Sequence, residues 1–179
     1  FVVPFQIVAA DIEKDGSVLY PVLNSQDVRV EWLTEKDEWL AYNAPGKNFN
    51  MFNNGTSLVG SLNLSPKMLN GSGVVNTTDS RIESDLFRFT SNSIKADTSV
   101  YNLKSPSTSG YAFIAENAST DVNFDLKMTR FHLNTDTSVV KFPEIQYNCT
   151  MTDFAYNMDR KVLNMEQKGK SNTQLLTPD

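Results

Sequence analysis

The chain has 179 residues, 40% of them hydrophobic and 11% aromatic, which suits one packed domain and argues against disorder. Sixteen basic and 21 acidic residues give a formal charge of −5 with no basic stripe, so nucleic acid is not an expected partner. No apolar run is long enough to span a membrane, and the single cysteine, Cys149, excludes an internal disulfide.

Phe1 is not an initiator, so a processed protein or a piece of a larger one is expected; a removed signal peptide would leave no trace. One cysteine fits a reducing compartment, or a bacterial envelope protein without disulfides. Ser, Thr and Asn are abundant and long Glu/Lys/Ala runs are absent, which disfavours long helices.

In chain order, "FVVPFQIVA" (1–9) predicts an edge strand or entering arm, because Pro4 lacks an N–H for a central ladder. "EKDGS" (13–17) signals a turn leading to a strand "VLYPV". "DVRVEWL" (27–33) alternates, placing Val28, Val30 and Trp32 on one face, so burial is expected for Trp32. "TEKDEWLAYN" (34–43) reads either as a short helical turn near 35–41 or as a turn before a strand "EWLAYN". "NNGT" (53–56) carries Asn-Gly, a strong hairpin signal.

Beyond this point one spacing recurs. Leu62, Leu64, Leu69 and Gly71 match Phe87, Phe89, Ile94 and Ala96. Phe124, Leu126, Phe131 and Leu133 repeat it, as do Tyr156, Met158, Leu163 and Met165. Each copy predicts strand, tight turn, strand. A lone hairpin is marginal in water, so such units must lie beside one another. Gly71 and Gly73 are expected where a strand bends or lets another backbone approach. Further strands are predicted at 73–77, 98–103, 111–115, 138–142 and 145–151. The predicted fold is all-β: stacked antiparallel hairpins forming a jelly-roll-like sandwich or short β-solenoid. Residues 1–166 make a single β domain, and 167–179 a linker-like tail.

Chemistry-bearing motifs are few. His132 alternates with Phe131 and Leu133, which predicts a solvated outward face. Cys149 has no neighbouring cation or helix start, so a buried, inert thiol is expected. "DIEKDG" (11–16) mimics the opening of a calcium loop, but Val22 stands where the closing Glu belongs, so it reads as an Asp-Gly turn. Glu83, Asp85, Asp97, Asp121, Asp125, Asp153 and Asp159 mostly flank turns and do not define a catalytic pair. The Asn-X-Ser/Thr triplets at 54–56, 70–72, 76–78, 117–119 and 148–150 fit the glycosylation pattern, which an Asn/Ser/Thr-rich chain produces by chance. Tyr20, Trp32, Trp39, Tyr42 and Phe49 cluster in the N-terminal third. Exposed members would stack on sugar rings, and Trp39 and Tyr42 are the candidate ligand-binding residues. No metal ligands, cofactor or catalytic residues are expected.

The runs "VRVEWLTEKDEWLAYN", "FNMFNNGTSLVGSLNLSPKMLNGSGVV" and "SRIESDLFRFTSNSIKADTSVYNL", with "VNFDLKMTRFHL" and "VVKFPEIQYNCTMTDFAYNMDRKVLNM", carry a resemblance over residues 28–166. The chain resembles segments of very large uncharacterised proteins of Bacteroidetes-type bacteria. "IESDLFRF…IKADTSVYNL" and "FAYNMDRKVLNM" are more loosely similar to the β-repeats of lipopolysaccharide-transport domains, which carry lipid along an apolar interior. The intervals here are irregular, which departs from that pattern. The resemblance implies a non-catalytic structural or binding β-module of a large bacterial cell-envelope protein, located in the periplasm or at the cell surface. Its partners would be neighbouring domains of the same chain, with glycan or glycolipid as ligand. A carbohydrate-binding module and a lipid or glycolipid carrier are the alternatives.

Overall fold

Alternating apolar and polar residues yield strands almost throughout. The computed structural model describes residues 2–7, 13–14, 17–18, 20–135 and 138–166, with side chains from residue 20 onward. The strands are β1 (Val2–Ile7), β2 (Glu13–Lys14), β3 (Ser17–Val18), β4 (Leu23–Leu33), β5 (Glu38–Asn43), β6 (Phe49–Met51), β7 (Thr56–Leu64) and β8 (Leu69–Asn76). They continue with β9 (Ser80–Phe89), β10 (Ser93–Lys104), β11 (Tyr111–Asn123), β12 (Met128–Leu133), β13 (Val140–Phe142), β14 (Tyr147–Cys149), β15 (Asp153–Asn157) and β16 (Val162–Glu166).

β2 and β3 pair with each other, and Asp15 and Gly16 of the expected turn lie outside the described residues. The other 14 strands form one sheet in the order β1-β4-β5-β7-β8-β9-β10-β11-β12-β15-β16, with β6 between β4 and β7 and β13-β14 beside β11. All of its pairings are antiparallel. The sheet is therefore a meander of hairpins, as the recurring spacing predicts. Pro4 sits at the break in the β1–β4 register, where a missing N–H costs least. Residues 34–43 resolve as a turn and then β5, so the helical turn near 35–41 does not form. Residues 20–22, assigned to a strand from sequence, lie outside any strand.

The hairpins are closed by side chains. Thr90 Oγ1 accepts from the amides of Asn92 and Ser93 at 3.4 and 3.1 Å. Ser65, Thr77 and Ser105 each bond the amides two and three residues on, and Asn157 does the same. Turn amides that no strand can satisfy thus find a local acceptor. This accounts for the Ser/Thr/Asn-rich composition.

A crease crosses the strands and bends the sheet onto itself. In β9, β10 and β11 the register shifts or pairing lapses near residues 84–87, 96–99 and 115–118. The buried positions change parity at the crease. They run Ile82, Ser84 then Phe87, Phe89; Ile94, Ala96 then Ser99, Tyr101; and Phe113, Ala115 then Ala118, Thr120. β4 does likewise, from Leu23 and Ser25 to Val28, with Asp27 at φ 57° between them. An extra residue at the bend keeps the apolar face inward while the strand turns into the second layer. Ser84 Oγ donates to the Thr98 carbonyl at 2.6 Å, and Ser99 Oγ to that of Ala118 at 2.8 Å, satisfying carbonyls that the bulges free from the ladder.

β7 and β8 cross the crease without a parity change, using the paired Gly60 and Gly73. Their φ angles are +151° and +120°. A Cβ on Gly60 would lie 2.0 Å from the Ser72 carbonyl oxygen, and one on Gly73 2.3 Å from that of Val59. A Cβ on Gly71 would meet Ser61 O and Phe89 Cε2 at 2.9 Å. The glycines of 71–73 therefore mark a bend and a close backbone approach.

The bend brings distant residues together. Phe113 and Phe154 pair at 5.2 Å between ring centroids. Yet Phe154 aligns through Phe131 with Thr120, seven residues along β11 from Phe113. In a flat sheet that offset is roughly 23 Å. Tyr101 stacks on Phe131 at 4.6 Å, and Phe52 meets Phe124 at 4.6 Å, across the same interior. The result is a two-layer sandwich made by folding one sheet. Phe49, Leu58, Ile82, Phe87, Tyr101 and Phe113 fill its core. Lys161 Nζ bonds Asp79 Oδ2 at 2.5 Å, tying the β15–β16 turn to the β8–β9 turn.

Candidate functional site

Trp32 and Trp39 are cross-strand partners in β4 and β5. Their rings stack with centroids 5.5 Å apart and planes 7° from parallel. Trp32 is 54% exposed and Trp39 43%. The burial expected for Trp32 is thus overturned. It does share a face with buried Val28, but it stands four residues further on, at the turn end of the strand, beyond the reach of the opposing layer. The ring pair faces solvent on a surface that would otherwise be core.

Tyr42 is exposed too, but three positions from Trp39 along one strand, so it points to the opposite side of the sheet. The two candidates do not form one platform. Tyr20 and Phe49 are buried, and the Tyr20 hydroxyl donates to the Ser65 carbonyl at 3.1 Å. Sequence reasoning missed Trp32. The signal was present: a turn over 34–37 sets Trp32 and Trp39 symmetrically about it.

A second feature lies on the outer face of β9, β10, β11, β12, β15 and β16. A groove of about 520 Å³ is lined there by two rows of side chains. One row runs Arg88, Lys95, Asp121, Arg130, Ala155, Asn164; the next runs Ser119, His132, Asp153, Glu166. Asp97 completes the second row's end. Small Ala155 and Ser119 leave the space that longer neighbours enclose.

Most of these charges are paired. Arg88 grips Asp97 through both carboxylate oxygens, with Nη1–Oδ2 at 2.8 Å, and that hydrogen bonding holds the Asp97 carboxyl below its ordinary range. Lys95 Nζ meets Asp121 Oδ2 at 3.1 Å. His132, solvated as expected, places Nδ1 at 3.2 Å from Asp153 Oδ1. Ser119, His132 and Asp153 follow the order nucleophile, base, orienting acid. However, Ser119 Oγ turns to the His132 main-chain carbonyl at 3.5 Å, and no hydrogen bond joins it to the imidazole.

Cys149 is buried, and burial raises its thiol pKa, which keeps it protonated and unreactive. Among the described residues, no group of three His, Cys, Asp or Glu side chains is placed to hold a metal. No helix of the described residues is long and apolar enough to cross a membrane. Comparison with protein-family models, curated proteins and solved structures returns no match.

Proposed function

We propose that this chain is a non-catalytic binding module whose ligand is a glycan seated on the Trp32–Trp39 pair. The observation that carries the reading is the exposure of two stacked indoles on a rigid hairpin. Large aromatic surface is normally buried; left exposed and pre-ordered, it suits the apolar C–H faces of sugar rings. Among the described residues, the pairing of β4 with β1 ends at Arg29, three residues before Trp32. A setting in a large bacterial envelope protein draws support from the resemblance of residues 28–166. The filled interior, with Phe87, Phe89 and Tyr156 buried, argues against lipid carriage between the layers, although Leu126 lies outside it.

The chain has two tryptophans, both in this pair, so intrinsic fluorescence reports on this site alone. Titration with a panel of polysaccharides should shift or quench the emission for at least one glycan. Trp32→Ala and Trp39→Ala should each weaken that glycan about tenfold, or about 1.4 kcal/mol. A flat response across a broad glycan array would overturn the reading.

A further inference from the structure

Within the outer groove, two full charges have no partner among the described residues: Arg130 on β12 and Glu166 on β16. Every other charge lining it is paired, Arg88 with Asp97, Lys95 with Asp121 and His132 with Asp153. Arg130 and Glu166 lie diagonally across Ala155, two strand spacings apart and offset by two residues. Ideal spacings put their Cα atoms about 12 Å apart. They do not pair with each other, yet both line the same space.

We propose that this groove binds a short peptide with free termini, of about dipeptide length. Its carboxylate docks on the Arg130 guanidinium, whose planar fork matches a carboxylate. Its ammonium faces Glu166. The leftover charges are one of each sign, so a zwitterion neutralises both and a simple anion neutralises only one. An amino acid is too short to reach both ends. Ala155 supplies the floor over which the ligand lies. The site is on the opposite face from the tryptophans and stands independently of the glycan reading.

The test uses calorimetry and amide chemical shifts of the full chain with glycylglycine as probe. Binding is expected with a dissociation constant on the order of 1 mM, fitting so small a ligand. Glycine should bind at least tenfold more weakly. N-acetyl-glycylglycine and glycylglycine amide should each lose about tenfold. Arg130→Gln should weaken the free dipeptide and abolish the difference between it and the amide. Glu166→Gln should abolish the difference between it and the acetylated form. Both positions are exposed, so folding is checked simply by circular dichroism. Ala155→Leu should block the groove with all charges retained. No binding of glycylglycine, equal binding of the capped peptides, or binding of glucuronate in its place would each overturn the proposal.

Discussion

The Tyr101 ring sits at the centre of the aromatic core, and its buried hydroxyl lies near the Ser80 and Thr129 side chains but meets no described group at good hydrogen-bonding geometry. A buried hydroxyl without a good partner costs free energy that a hydrogen atom in its place would not. Tyr101→Phe should therefore leave stability unchanged or raise it by up to about 1 kcal/mol, read from urea unfolding. Loss of more than that amount would mean the hydroxyl is paired. Gly73 carries the opposite expectation. Its φ of +120° and the 2.3 Å approach of Val59 O leave no room for a methyl group, and the obstacle is backbone. Gly73→Ala should cost about 3 kcal/mol. An Ala variant as stable as the parent would show that the crease can shift. Gly71 and Gly73 were legible as bend positions in the sequence; Gly60 was not, because its strand appears regular until its partner is known.

At the scale of elements, the hairpin is held by its turn as much as by its strands. Thr90 Oγ1 serves two turn amides and lies 2.7 Å from Ser93 Oγ. Thr90→Ala should cost about 1 kcal/mol and speed hydrogen exchange at Asn92 and Ser93. Unchanged exchange there would mean water replaces the hydroxyl at no cost. All four hairpins implied by the recurring spacing exist, and in the first two the inner apolar positions face each other, Leu64 with Leu69 and Phe89 with Ile94. The other two are displaced. In the fourth, Met158 falls in the turn and Leu163 pairs with Tyr156 instead. The third shifts in the same way. Phe124 and Leu126 fall in the turn, and the paired residues are Val122 with Thr129 and Thr120 with Phe131. Spacing finds a hairpin but cannot distinguish a turn of two residues from one of four. Likewise, alternation gave Trp32 its face without saying how far the opposite layer extends. The groove was illegible for a stronger reason: its residues run from Arg88 to Glu166 and meet only once six strands are in register.

At the scale of the molecule, folding one sheet into two layers leaves tyrosines in a dry interior, and this sets an alkaline limit on stability. Burial raises the Tyr101 pKa well above its ordinary value of 10. Burial, then the negative charge of Asp79, pushes Tyr156 up to about 12. A group with a raised pKa in the folded state keeps its proton there while the unfolded chain loses it. The stabilising contribution is therefore complete below pH 10 and falls as pH rises through the folded values. Tyr101 alone makes stability fall steadily as pH rises above 10. Tyr156 adds in the same direction, and its ionisation would set a second charge beside Asp79, close to where Lys161 ties the two layers. Unfolding by urea between pH 9 and about 12 should show this steepening. The Tyr101→Phe variant should lose less stability than the parent across that range, because its core no longer holds an ionisable group at that position. Parallel pH curves for parent and variant would place the alkaline limit elsewhere in the molecule.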